Sequence, residues 1–265
     1  MRDYIEAIIL GIIQGVTEFL PVSSSGHLEL AKWLFGDTST ASQSFMMTII
    51  LHFGTALATL WVFREYVWNV VKNFYKPEGR RYIWMIILSM IPAVIVGVTL
   101  ESQINEMFER QIIFVSIFLC VTGILLLISD RMLSADKPLT PVRAFIMGIV
   151  QAIAIIPGLS RSGSTITTGV ALGIDRREVA QFSFLMVIPL IFGKIAKDAM
   201  DGTIASDATK PGPLVIGFIF SFVAGVIACK WMVSIVKRAK LSYFGIYCLL
   251  IGIAAIILRL WVWTT

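Results

Sequence analysis

An arginine flanked by serine and glycine sits in the run Pro157-Gly158-Leu159-Ser160-Arg161-Ser162-Gly163-Ser164-Thr165, between stretches that are otherwise apolar. A guanidinium keeps its charge at any physiological pH, so in apolar surroundings Arg161 needs an anionic partner. That partner is either a carboxylate such as Glu18 or a bound oxyanion. The hydroxyl and N–H donors of Ser160, Ser162, Gly163 and Thr165 favour phosphate, which arginine grips through two parallel hydrogen bonds. A second polar break, Pro21-Val22-Ser23-Ser24-Ser25-Gly26-His27, follows Gln14 and Glu18. Four residues apart on a helix, Gln14 and Glu18 share one face. A carboxylate beside an amide oxygen can supply part of the oxygen shell of a hard divalent cation, Mg2+ or Ca2+. Ser23, Ser24, Ser25 and Gly26 let backbone N–H groups converge on an anion at the start of the next helical arm. Ser24 is a candidate nucleophile and His27, three residues on, a candidate base. His52, alone in an apolar run, is read as a packing residue, and Glu29 and Asp175 as residues at the rim.

The elements that must position these groups are membrane helices. The chain of 265 residues is 57% hydrophobic and only 15% charged, with a mean hydropathy of +0.84. A soluble domain has about 25% charged residues, so this composition excludes an ordinary soluble enzyme. Six apolar runs are long enough to cross about 30 Å of hydrocarbon: 44–63, 82–100, 112–129, 179–198, 213–235 and 242–262. They do not alternate, which excludes a β-barrel. The formal charge of +5 resides in short loops and is no nucleic-acid signal. Cys120, Cys229 and Cys248 lie singly in apolar runs and read as small packing residues.

The segments 4–36 and 142–174 fit no simple span. Each has an apolar arm, one of the polar breaks, and a second short arm. Irregular backbone at membrane depth must be buried in protein or line a wet cavity, so both read as re-entrant helical hairpins. They also match each other. An offset of 137 residues places Gly11 on Gly148, Gln14 on Gln151, Ser23 on Ser160, Ser25 on Ser162 and Gly26 on Gly163. Two repeats follow, about 1–131 and 138–265, each with one hairpin and three spans. Three is odd, so the second half enters the membrane from the opposite face, and the hairpin tips meet near the midplane. The expectation is an all-α polytopic membrane protein: six transmembrane helices plus two re-entrant hairpins in an inverted repeat.

Arg161 aside, fourteen of the twenty-one lysines and arginines fall on one side of that arrangement, among them Arg80, Arg81, Arg176, Arg177, Lys237 and Arg238. The other side holds seven, including Arg110 and Lys210, together with the acidic loop 101–109. The positive-inside rule makes the richer side cytoplasmic and places both termini outside. Trp261 and Trp263 suit an interfacial belt at the outer end of the last span.

The quoted segments, Gln14 through His27 and Pro157 through Thr165, resemble the two signature motifs of the bacterial undecaprenyl-diphosphate phosphatase family, also called bacitracin-resistance proteins. Gln14 and Glu18 match its first motif, Glu or Gln, three residues, then Glu. Pro157 through Thr165 match its second, Pro-Gly-x-Ser-Arg-Ser-x-x-Thr, in full. The likeness extends over the whole chain in length, repeat order and hydropathy. It implies removal of the terminal phosphate from a C55 isoprenyl diphosphate with a divalent cation, at a site open to the periplasmic side of the bacterial cytoplasmic (inner) membrane. Recycling of the carrier for peptidoglycan synthesis, and bacitracin resistance, would follow. Gln14 stands where many relatives carry Glu, leaving Glu18 as the sole carboxylate of the first motif. On this reading Glu18 and Gln14 hold the cation, Arg161 and Ser160 hold phosphate, and Ser24 attacks with His27 as base. A water activated by Glu18 or the metal, or direct attack by His27, remains an alternative.

The chief rival is a transporter or flippase for a phosphorylated lipid, because inverted repeats with broken helices also build anion carriers. A phosphohistidine lipid phosphatase is disfavoured, since it would need a histidine shortly after Arg161 and the chain has only His27 and His52. The expected partners are the lipid diphosphate and membrane lipids. Small residues at Gly217, Gly225, Gly245 and Gly252 permit close helix contact within the chain or in a homodimer.

Overall fold

The computed structural model describes residues 2–36, 41–108, 111–131, 136–200, 211–235 and 240–264. Arg110, Lys210, Lys237 and Arg238, counted above for orientation, lie outside them, as do Glu109 and the Trp263 side chain. All the named elements are helices. In chain order they are α1 (Arg2–Thr17), α2 (Ser24–Leu34), α3 (Ala41–Val62), α4 (Arg64–Lys72), α5 (Pro77–Thr99), α6 (Glu101–Phe108) and α7 (Ile112–Ser129). Then come α8 (Pro141–Ile153), α9 (Arg161–Ala171), α10 (Arg176–Met186), α11 (Ile188–Met200), α12 (Pro211–Ile235) and α13 (Ser242–Thr264).

Five of the described stretches are long and apolar enough to cross a membrane: α5, α7, Arg176–Lys197 (α10 with most of α11), α12 and α13. The bent pair Met46–Val62 and Arg64–Lys72, which turns by 71°, makes a sixth where it is counted as one broken span. The chain is thus a multi-pass helical membrane protein. These stretches coincide with the six expected spans, with three local differences. The expected run 179–198 starts earlier, where the Asp175 carboxylate accepts from Arg177 N and Glu178 N at 3.0 and 3.1 Å, so this rim residue is an N-cap. The same run breaks between Met186 and Ile188, just before Pro189, whose ring cannot donate to the preceding turn. The acidic segment expected as a loop forms the short helix α6 instead.

The apolar helices pair across the two halves of the chain. α1 lies along α12, α8 along α5, and α7 along α13. Close approach sets the first pairing. A methyl group on Gly11 would come within 2.6 Å of Gly217 O, and one on Gly15 within 2.7 Å of Gly225 N. Gly217, Gly225, Gly245 and Gly252 all spend their small size on neighbours inside the chain, Gly245 facing Gly123 O and Gly252 facing Cys120 Sγ. Two polar contacts tie helix ends together. Asp130, after α7, accepts from Leu241 N (2.9 Å) and Ser242 N (2.8 Å) at the start of α13. Glu101 receives Lys194 at 2.9 Å and Lys197 at 2.8 Å from the end of α11.

Two helix pairs are broken rather than continuous: α1 with α2, and α8 with α9. Both breaks are packed inside protein. In the first, Phe19, Leu20 and Val22 are buried, Phe19 edge-on to Phe184 at 5.5 Å. In the second, α7 supplies the missing hydrogen bonds, since Thr122 Oγ1 donates to Gly158 O (3.0 Å) and accepts from Ser160 N (2.8 Å). This satisfies the rule that backbone outside a helix must find partners where lipid offers none.

Candidate active site

The two breaks touch. The space beside Gly26 that a side chain would fill contains Gly158 Cα at 3.2 Å, the space beside Gly163 contains Pro21 O at 3.3 Å, and Ser162 Oγ donates to Leu20 O at 3.3 Å. This contact brings the chemistry together. The last turn of α1 carries Gln14, and Glu18 follows its end. The first turn of α2 carries Ser24, and the first turn of α9 carries Arg161.

Glu18 is the hub. Its Oε1 accepts a short charge-assisted bond from Arg161. Its Oε2 accepts from Ser24 Oγ at 2.7 Å and from Gln14 Nε2 at 3.0 Å. Arg161 also donates to Ser183 O of α10 at 2.9 Å. Gln14 is fully buried, and its Oε1 has no hydrogen-bond partner. The crevice around Glu18 and Arg161 is walled by Phe19, Thr55, Phe184 and Ile191.

The remaining expected residues serve the turns. Ser23 lies in the left-handed region (φ 69) and caps α2, its Oγ accepting from Gly26 N at 3.2 Å. Holding a β-substituted residue there costs about 1–3 kcal/mol, so the surrounding contacts must impose it. Ser160 caps α9 in the same way, accepting from Gly163 N at 3.0 Å. Ser25 Oγ lies 3.4 Å from Ser23 Oγ. Thr165 Oγ1 donates to Arg161 O at 2.8 Å and lies 2.7 Å from Ser183 Oγ, which steadies the turn that carries the guanidinium. These side chains shape the two turns.

His27 stands apart from Ser24's hydrogen bond. Its Nδ1 lies 2.8 Å from Ser23 O, and its Nε2 lies 2.9 Å from Tyr247 Oη, whose ring stacks on it at 5.5 Å. A carbonyl oxygen can only accept, so Nδ1 carries the proton and Nε2 of the neutral ring accepts from Tyr247. The expected Ser24–His27 contact is therefore replaced here by Ser24–Glu18.

His52, read from sequence as packing, lies at the site: its Nε2 is 3.8 Å from Glu18 Oε2. Thr55, one turn further along α3, approaches Gln14 Nε2 at 3.5 Å. One sequence signal pointed to His52, because an ionisable residue inside an apolar span is a functional hypothesis by default. Nothing local pointed to Ser183 or Tyr247, which reach the site only through the fold.

The architecture defines a polytopic membrane protein with a buried carboxylate–guanidinium pair held between two serine-capped turns. A sequence model of the family described as bacitracin resistance protein BacA matches residues 7–254. An undecaprenyl-diphosphatase of Christiangramia forsetii is 52% identical over 258 residues, covering 96% of this chain and 98% of its own length. One of Bacteroides thetaiotaomicron is 43% identical, covering 97% and 100%, and one of Methanobrevibacter smithii is 36% identical, covering 95% and 96%. The chain belongs to the BacA family.

Proposed function

We propose that this protein hydrolyses undecaprenyl diphosphate to undecaprenyl phosphate and inorganic phosphate. The reaction returns the carrier lipid to peptidoglycan synthesis and confers resistance to bacitracin, which sequesters the diphosphate. The observation that carries this reading is the meeting of Arg161 and Glu18, drawn from opposite halves of the chain, beside the Ser24 hydroxyl. The full-length similarity to undecaprenyl-diphosphatases supports it.

In this structure Glu18 occupies the guanidinium face that a phosphate would take. A terminal phosphate carries more charge than a carboxylate and fits both guanidinium N–H edges, so it displaces Glu18 from Arg161. Glu18 keeps Ser24 on its other oxygen and is placed to receive the Ser24 proton as Oγ attacks phosphorus. The bond to the bridging oxygen breaks, and its electron pair leaves with the lipid monophosphate. Arg161 and the first-turn N–H groups hold the equatorial oxygens, where charge spreads in the transition state. Water then attacks the seryl phosphate. Its oxygen ends in inorganic phosphate, one proton goes to solvent, and Glu18 reprotonates Ser24. The residues also fit a divalent cation, because Glu18 offers a carboxylate and Gln14 a buried amide oxygen without a partner. Bound there, a cation would neutralise charge on the diphosphate.

The same reading takes the broken helices as re-entrant hairpins of an inverted repeat. The crossed packing supports it: the 137-residue offset that carries α1 onto α8 also carries α5 onto α12, and α1 packs on α12 as α8 packs on α5. The bias of basic loops supports termini outside the inner membrane, and the mouth of the site belongs on that periplasmic face. The crossed packing also favours the transporter reading, so one assay must separate the two. Purified protein in detergent is given isoprenyl diphosphate with and without chelator. Cation-dependent phosphate release, lost in Arg161→Ala and Glu18→Ala, is the expected result. Lipid binding without release would mark a carrier instead.

A further inference from the structure

We propose that His52 Nε2 is a direct ligand of the divalent cation, completing a set with Glu18 and the Gln14 amide oxygen, and that it tunes the site toward Mn2+ and similar borderline ions over Ca2+. This rests on the cation reading above and goes beyond it by naming a nitrogen ligand and the class of metal.

The first observation is an unfilled gap between two acceptors. His52 Nδ1 lies 2.8 Å from Thr48 O. A carbonyl cannot donate, so Nδ1 holds a proton, and in the neutral tautomer the lone pair is at Nε2. Nε2 faces Glu18 Oε2, an acceptor, at 3.8 Å, too long for a hydrogen bond. A cation between the two would take both as ligands. With metal–nitrogen and metal–oxygen bonds of about 2.1 Å at angles of 90–110°, ligand atoms stand roughly 3.0–3.4 Å apart. A small side-chain rotation closes the remaining few tenths.

The second observation concerns the ring's far side. A metal-binding histidine commonly donates its other N–H to a backbone carbonyl, which fixes tautomer and ring orientation. The His52–Thr48 bond does this within one turn of α3. The third is Gln14 Oε1, fully buried without a partner on a side chain whose Nε2 already contacts Glu18 and Thr55. Among the described residues no three His, Cys, Asp or Glu side chains gather as a ready-made metal cluster. The set here is one carboxylate, one imidazole and one amide, with further positions for water and substrate oxygens. Imidazole suits borderline ions better than Ca2+, which takes six to eight oxygens.

The experiment uses tag-free protein in detergent with Mn2+ as the probe, read by electron-spin-echo spectroscopy for imidazole 14N coupling and by titration for Kd. The chain has only two histidines, so assignment is direct. The expected result is 14N coupling in wild type that persists in His27→Gln and disappears in His52→Gln, with Mn2+ affinity down about 10–100-fold and Ca2+ affinity changed far less. Mn2+ bound without imidazole coupling, yet lost in Glu18→Gln, would overturn the role of His52 while leaving the cation site standing. Mn2+ binding indifferent to Glu18→Gln would overturn the cation reading itself. If His52→Gln fails to fold, the coupling in wild type and His27→Gln still decides.

Discussion

The two broken helices share one serine-capping device and differ in backbone and chemistry, Ser23 having φ 69 and Ser160 φ −69. In both, a serine before the second arm accepts from the glycine N–H three residues on, and a second serine hydroxyl stands 3.4 Å from the first. The chemical positions then diverge. Glu18 corresponds to Ile155, Ser24 to Arg161 and His27 to Ser164. Gln14 is bonded to Glu18, whereas Gln151, equally buried, has no partner for either amide atom. The serine cap recurs in both breaks, and the site lies between them. Neither break holds both the carboxylate and the guanidinium.

The largest test removes one contribution from each break. Glu18→Ala and Arg161→Ala should each lower kcat/KM for phosphate release by about 10³-fold or more, as loss of a preorganised charge contact does. The double variant should fall little further, because the two groups act as a unit. Ser24→Ala should cost about 10²–10⁴-fold, with no seryl phosphate trapped by acid quench. If a trapped phosphate survives in Ser24→Ala, another residue is the nucleophile. Next come the turns. Gly158 has φ +91, and a methyl there would lie 2.1 Å from Val115 O, so Gly158→Ala should lower stability by about 3 kcal/mol. Gly26→Ala, whose nearest contacts are 3.1–3.2 Å, should cost about 1 kcal/mol, and thermal melting in detergent ranks the two. The buried amides should respond in opposite directions. Gln151→Leu removes an unpartnered polar group and should raise stability by about 1–2 kcal/mol, whereas Gln14→Leu should lower phosphate release.

The smallest effect concerns a contact that joins the halves where the last turns of a span meet the short helix α6. Hydrogen bonds from Lys197 and Lys194 hold the Glu101 carboxyl below its usual range. Its stabilisation is therefore complete above the unfolded pKa of about 4.3 and is lost as pH falls through the lower folded value. Because about a third of each partner is open to water, screening limits the contribution to under about 1 kcal/mol. Glu101→Gln should flatten the acid limb of melting temperature against pH by that amount.

Much of this was legible in the sequence because bilayer physics is severe. Apolar length pointed to the membrane helices, and α7 occupies 112–129 as expected, since nothing polar interrupts it. Arg161 and Glu18 stood out because charge is rare in such surroundings. The break at Pro189 and the helix α6 were not legible from length alone, as both are local departures inside or beside a span. The Ser24–His27 pairing was inferred from proximity in sequence. It missed Tyr247, which lies 220 residues from His27 and engages its ring. His52 was discounted because a helical histidine flanked by apolar residues shows nothing of the carboxylate across the interface.

The pairing of α1 with α12 also sets an order of events during synthesis. Gly15 and Gly225, which meet at that interface, are 210 residues apart. At roughly 5–20 residues per second, a ribosome needs roughly 10–40 s to make that stretch. Throughout that delay the glycine face of α1 has only lipid or the insertion apparatus for company. α1 is made long before its mate, so a nascent chain arrested before residue 211 should leave α1 open to crosslinking from the bilayer.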